Sequence, residues 1–271
     1  MLIKKLESTD VLIMNFKSHD YEKFNLTSTR IKKDFPRLIV ATVNGFGDDS
    51  DRVAYDLILQ AESGFMSING WQGSPPLKMP VALIDVLAAH HLKEGILLAL
   101  LQRQKTGSGA WLSVSLYDAA VCSLTNQASA YLMQGIIPKK QGSLHPNIAP
   151  YGEVFQTKDK KWVTFAIGSN RQFQGFCAIL GCQELGINSR YVDNVDRVAN
   201  RIELAKEISP FISHWNAEHL RELMTLQHIP MGIIYALNEV FENPHAQALV
   251  RTESQGNTET KRLTQVAVKW K

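Results

Sequence analysis

Val11-Leu-Ile-Met14 is a short apolar run bounded by Asp10 and Asn15, and Leu38-Ile-Val-Ala-Thr-Val43 is a second, bounded by Pro36 and by Asn44-Gly45. Continuous runs of this length predict parallel strands buried on both faces. Between them, Tyr21 to Lys33 is polar with widely spaced apolar residues, which predicts a surface crossover helix and completes one βαβ unit. Tyr55-Asp-Leu-Ile-Leu-Gln-Ala-Glu-Ser-Gly64 predicts a helix closing at glycine. Ile84 to about Arg103 is nearly apolar all round and predicts a long buried helix. Trp111-Leu-Ser-Val-Ser115 reads as a further strand, followed by a helix to about Met133.

Gln141-Gly-Ser-Leu-His-Pro-Asn-Ile-Ala-Pro150 gathers Gly, Ser, Asn and two prolines between periodic segments, so a domain boundary is expected there. Beyond it, Glu153 to Gln156 and Trp162 to Ile167 predict a hairpin around Lys158-Asp-Lys-Lys161, and helices follow near Arg171 to Ile179, Val198 to Phe211 and Ala217 to Leu226. That mixture is α+β. The expected organisation is a large α/β domain over 1–140, a smaller α+β domain over 150–238, and a segment 240–271 returning to the first.

Composition narrows the functional classes. The 271 residues are 45% hydrophobic and 20% charged, which is ordinary for a globular chain with a real core. Lys and Arg number 29 against 26 Asp and Glu, so a net charge of +3 implies no general affinity for nucleic acid or anionic membrane. Three cysteines without a CxxC pair suggest free thiols in a reducing compartment and no metal. The N-terminus lacks the apolar stretch of a signal peptide, and a cytoplasmic location is expected.

Most candidate motifs lapse on inspection. Gly45-Phe-Gly47 has no third glycine at dinucleotide spacing, and Asp48, Asp49 and Asp51 make phosphate cradling unfavourable. That acidic cluster also lacks the glycine and twelfth-position Glu of a calcium loop. Thr106-Gly-Ser-Gly109 follows a helix and precedes a strand, the reverse of a P-loop, and reads as helix termination. His90 and His91 are adjacent on a helix and point about 100° apart, which suits no shared metal. Asp85 is different: a lone carboxylate within Val81-Ala-Leu-Ile-Asp-Val-Leu-Ala-Ala89, at the start of the long helix. Its bland role is to cap that helix, and its functional role is a carboxylate nucleophile.

Taken together in order, the residues resemble the family III CoA-transferases, which include formyl-CoA, carnitine and succinyl-dependent transferases and the related α-methylacyl-CoA racemases. The resemblance runs through Thr9-Asp-Val-Leu-Ile-Met-Asn-Phe16, Pro36-Arg-Leu-Ile, Asn44-Gly-Phe-Gly47, Tyr55 to Gly64, Asp85 with Gly95-Ile-Leu-Leu-Ala-Leu, Lys105-Thr-Gly-Ser-Gly109, Val114-Ser-Leu-Tyr-Asp-Ala119 and His145-Pro-Asn-Ile-Ala-Pro-Tyr151. It implies a Rossmann-like parallel sheet, here incomplete, plus a smaller α+β domain.

The family's catalytic Asp falls on Asp85, and the glycine a few residues later is Ala89 here, a change expected to narrow the acyl pocket. By the same resemblance, Asn15 and Phe16 would lie along CoA, Lys23 near its phosphates, and Tyr55 in the pocket. The implied reaction moves CoA from an acyl-CoA to a carboxylic acid through aspartyl anhydride and thioester intermediates. CoA and acyl-CoA would be substrates, with no covalently bound cofactor. Backbone N–H groups after Pro138 would steady the oxyanions. The racemase branch would need His at the Tyr55 position and Glu near Asn170, because inversion requires an acid and a base on opposite faces. Relatives begin with further βα units and end later, so the resemblance also implies either an interlocked homodimer or complementation by an N-terminal polypeptide, with a non-catalytic partner subunit as the alternative reading.

Overall fold

The apolar runs of the N-terminal half pair side by side. The computed structural model describes residues 2–17, 19–256, 258–264 and 266–269, and the chain divides into two compact units, Met1–Gly142 and Ser143–Lys271. In the first, strands β1 (Val11–Met14), β2 (Ile39–Asn44) and β3 (Trp111–Ser115) form a parallel sheet in the order β1-β2-β3. Val11 stands opposite Ile39 and Val40 opposite Trp111. The central strand β2 buries Ile39, Val40 and Ala41 completely, as its unbroken apolar run requires.

Around this sheet lie α1 (Leu2–Leu6), α2 (Ser28–Asp34), α3 (Asp56–Glu62), the 24-residue α4 (Leu83–Thr106), α5 (Leu116–Cys122) and α6 (Thr125–Gln134). The single crossover helix expected over Tyr21 to Lys33 is two pieces: a turn at Asp20–Lys23, then α2, which starts where the Thr27 hydroxyl accepts the Arg30 N–H. Asn25 between them takes a positive φ of 58°, a break that helix periodicity does not register. Likewise the helix expected to run from β3 to Met133 is interrupted between α5 and α6.

The expectation that α4 is buried all round is corrected. Its packed stripe is Ile84, Ala88, Leu92 and Ala99, at three- and four-residue multiples. Gly95 falls on the same stripe, and a Cβ there would come within 3.3 Å of Leu112 on β3. Small residues let the helix approach the sheet closely, while Val86, Leu97, Leu98 and Leu101 point away and are exposed in this chain.

The second unit holds the antiparallel sheet β4 (Tyr151–Gln156), β5 (Trp162–Ala166) and β6 (Met231–Ile234) in the order β4-β5-β6. The Lys158–Lys161 turn joins the first two as expected, and β6 is a strand that the sequence reading lacked. Helices α7 (Asn170–Leu180), α8 (Asn194–Ala199), α9 (Arg201–Ile212) and α10 (Ala217–Leu226) accompany it. The core joins Phe165, Phe173, Phe176, Leu204, Ile208 and Leu220. Arg197 on α8 is fully buried, and donates to the carbonyls of Ala149, Tyr191 and Val192 and to Asn170 Oδ1 at 2.7–3.0 Å. Residues 240–271, for which the sequence suggests a return to the first unit, are grouped with the second, where β7 (Val250–Gln255) and β8 (Thr258–Leu263) form a hairpin. No described helix is long and apolar enough to cross a membrane.

Candidate functional site

Ligands of open parallel sheets settle in the crevice beyond the carboxyl ends of the strands. In this chain that edge carries a cleft of about 400 Å³ lined by Asn15 and Phe16 after β1, Val43 and Asn44 at the end of β2, Gly45 and Gly47 after it, Arg52 to Ala54 in the following loop, Leu116 after β3, and Asp85. Of the residues singled out from sequence, Asn15, Phe16 and Asp85 come together here from positions up to 70 residues apart.

The loop after β2 is built by Asn44. Its amide donates to Asp48 Oδ1 at 2.7 Å and lies 3.0 Å from Ser113 Oγ, while its Oδ1 accepts the Gly47 N–H at 2.7 Å. Ser113 Oγ donates to the same Asp48 oxygen at 2.7 Å. Gly47 has a φ of 100°, a conformation that favours glycine. A side chain at Gly45 would collide with the Ala54 methyl, so the Gly45-Phe-Gly47 signal reflects a tight turn against the 52–54 loop rather than a phosphate cradle.

Asp85 stands in the first turn of α4, but it does not cap the helix. The N-cap position, Ala82, offers no side-chain acceptor. The Ile84 N–H instead donates to Asp56 Oδ1 at 2.8 Å, and Asp56 Oδ2 accepts the Gln60 amide at 2.7 Å. Gln60 is itself buried and accepts the Met79 N–H at 2.7 Å, so it grips the segment leading into the helix. The Asp85 carboxylate thus has no hydrogen-bond partner among the described residues. The residue is exposed as a whole, yet partial loss of solvent around its carboxyl pushes its pKa above the usual aspartate value, and the Asp56 charge adds to the rise.

Lys23 and Tyr55 do not line the cleft. Lys23 is exposed, with Nζ 5.5 Å from the Phe24 ring centroid, and that ring packs on Phe16 at 4.8 Å. Tyr55 is 70% exposed and occupies the N-cap position of α3. The cleft's cations are two that sequence reading missed: Lys17, whose Nζ donates to the Asp51 carbonyl at 2.8 Å, and Arg52, which lies 3.9 Å over the Phe46 ring and pairs with Glu62 at 2.6 Å. Lys17 was findable, since it directly follows Asn15-Phe16 at the end of a parallel strand. Burial, with Asp48 adding, holds the Tyr21 hydroxyl on the cleft wall above the usual phenol value, against a Thr42 hydrogen bond that lowers it.

A larger cavity, about 750 Å³, lies in the second unit, but its Lys161 and Arg221 are paired with Glu239 and Glu218, and no sequence-predicted site residue reaches it. Among the described residues no group of three His, Cys, Asp or Glu side chains is placed to hold a metal ion.

The family model for CoA-transferase family III matches residues 2–271. The chain is 35% identical over 251 residues to the succinate–glutarate CoA-transferase of Agrobacterium fabrum, covering 91% of this chain and 62% of that protein. It is 30% identical over 252 residues to the acetyl-CoA:oxalate CoA-transferase of Acetobacter aceti, covering 92% and 64%. The chain therefore spans about three fifths of the length of these curated relatives. The crystal structure of a CAIB/BAIF family protein from Brucella suis superposes with a TM-score of 0.86 at 29% identity, over 99% of this chain and 71% of that one.

Proposed function

The chain belongs to the CoA-transferase family III, and from that premise we propose that it moves CoA from an acyl-CoA donor to a carboxylic acid acceptor with Asp85 as the nucleophile. One observation carries the reading: Asp85 shares a single cleft with Asn15 and Phe16 while its carboxylate is left uncommitted. In the proposed sequence, an Asp85 oxygen attacks the thioester carbon and the C–S bond breaks, releasing CoA thiolate and leaving a mixed anhydride. The thiolate attacks the aspartyl carbonyl, forming an aspartyl-CoA thioester and expelling the donor acid. The acceptor carboxylate and the returning thiolate repeat both steps in reverse, which regenerates Asp85. A carboxylate whose pKa is raised is the more basic when ionised, which favours attack.

Lys17 is the cation we assign to CoA phosphate, with Lys23 an outer contact through Phe24. Relatives named for succinate, glutarate and oxalate favour a small dicarboxylic acid as one substrate. A second copy as partner, residues 1–140 as the CoA-binding domain and a reducing cytoplasmic setting, consistent with three free cysteines, complete the proposal. Racemisation is disfavoured by Asn170. Its amide donates to Asp193 at 2.8 Å and accepts from Arg197 at 3.0 Å, which fixes it as a structural bridge with no basic group to offer.

Hydroxylamine added during incubation with acyl-CoA should convert Asp85 to a hydroxamate detectable by mass spectrometry, and Asp85→Asn should abolish both labelling and CoA exchange. Labelling at another carboxylate, or exchange persisting in Asp85→Asn, would remove Asp85 from the mechanism.

A further inference from the structure

We propose that Asp56, acting with Gln60, is the positioning residue for Asp85: it caps the nucleophile's helix from a different helix and holds a second negative charge beside it. This rests on the reading of Asp85 as nucleophile and concerns how that carboxylate is kept ready.

A helix N-terminus has orphan N–H groups, and a nearby aspartate ordinarily folds back to take one. In α4 the demand is met elsewhere. Leu83 and Val86 N–H groups reach the carbonyls of Val81 and Ala82 at 2.8 and 3.2 Å, and Ile84 N–H reaches Asp56. With two of those filled by neighbouring backbone and the Ile84 N–H filled from α3, Asp85 is not drawn onto them, and its carboxylate is free to face the cleft. Gln60 ties the same device to the incoming chain, since its amide nitrogen also lies 3.4 Å from the carbonyls of Met79 and Val81. Constraints therefore act at Met79, Val81 and Ile84, across a segment, Met79 to Ala82, that has no regular structure before the helix begins. The burial of Gln60 makes this latch costly to rearrange.

The second effect is electrostatic. The carboxylate of Asp56 resists ionisation of Asp85, which raises the basicity of the attacking oxygen. Other charged or titratable groups lie on the cleft and on the elements packed against α4: Lys17, Tyr21, Asp48 and Arg52 line the cleft, Glu62 lies on α3, Tyr117 and Asp118 lie on α5, and His90, His91 and Lys93 lie further along α4. A substitution at Asp56 leaves all of them in place.

The test needs no turnover, so its failure is distinct from failure of the nucleophile assignment. In protein labelled with ¹³C-aspartate, the Asp85 carboxyl resonance is identified by its loss in Asp85→Asn and titrated in wild type and in Asp56→Asn. Burial of the carboxyl remains in Asp56→Asn, but removing the neighbouring charge should lower the Asp85 midpoint. In Asp56→Ala, which has no capping oxygen, the Ile84 amide should exchange with solvent about tenfold faster or more than in wild type. Asp56→Asn, which keeps an acceptor oxygen at the same reach without the charge, should retain the Ile84 protection while showing the lowered midpoint. An unchanged Asp85 midpoint in folded Asp56→Asn, or undiminished Ile84 protection in Asp56→Ala, overturns the proposal. Collapse of both variants while Asp85→Asn folds would also overturn it, by making Asp56 a general fold residue.

Discussion

The Ile84 N–H and Asp56 Oδ1 meet at 2.8 Å, and that one bond joins the helix bearing Asp85 to a residue 28 positions earlier. The consequence for chemistry is a carboxylate at a helix start that is not consumed by the helix.

Gln60→Ala should destabilise the first unit. The side chain is 1% exposed and fills hydrogen bonds to Asp56 and to the Met79 N–H. Leaving those partners unmet costs about 1–3 kcal/mol, which thermal unfolding should read as a fall in midpoint of several degrees, while the second unit's own core is untouched.

Lys17→Ala should weaken CoA binding about fivefold or more, and Lys23→Ala by less than about twofold, because only the first lies in the cleft. Calorimetric titration with CoA decides between them. Equal losses at both positions would return Lys23 to the phosphate site.

Asp85→Asn should leave the fold intact and slightly stabilise it near neutral pH. The folded-state pKa of Asp85 is raised, so the ionised form is disfavoured in the folded chain relative to the unfolded one. The stability associated with this group is present below its unfolded value, about 4, and is lost as pH rises through the folded value. The Asn variant should therefore unfold at higher temperature than wild type at pH 7, with the gap closing as pH falls toward 4. A gap that widens toward acid would reverse the sign of the shift.

Arg201→Met should be among the most damaging single changes in the second unit. Arg201 holds Glu153 through two bonds of 2.9 and 2.8 Å to one oxygen and also supports the carbonyls of His145 and Ile148. Glu153 is 9% exposed, and its other oxygen has no partner among the described residues even in the intact structure. Stranding this carboxylate costs about 3–5 kcal/mol, measurable by urea unfolding, and Glu153→Leu in the same chain should recover part of it.

Strand positions were legible because β2 is an apolar run with no competing helical period, and the place of Asp85 in the cleft was legible because a lone acid in an apolar stretch demands a reason. What escaped had physical causes. Breaks at Asn25 and Thr125 depend on single residues at positive φ, which leave no trace in hydrophobic spacing. The outer face of α4 reads as core by composition, yet which side of an apolar helix is packed depends on where Ala88, Gly95 and Ala99 fall against the sheet. Strand β6 is short and pairs with β5 from 65 residues or more away, beyond any local pattern. Asp56 was hidden because its role is a long-range bond, and in sequence it is one polar residue at an ordinary helix start.

The same cap ties the start of α4 to tertiary structure. A helix that opened with its own Ser or Asp could complete its cap locally, but the Asp56 cap of α4 closes only once α3 is beside it, and closing a loop of that length costs chain entropy before the bond returns anything. A partly folded or newly emerging chain would hold Asp85 on a frayed helix end, with its carboxylate free to fold back on the backbone. The uncommitted carboxylate of Asp85 thus depends on a meeting between residues 56 and 84 that no local stretch of sequence can supply.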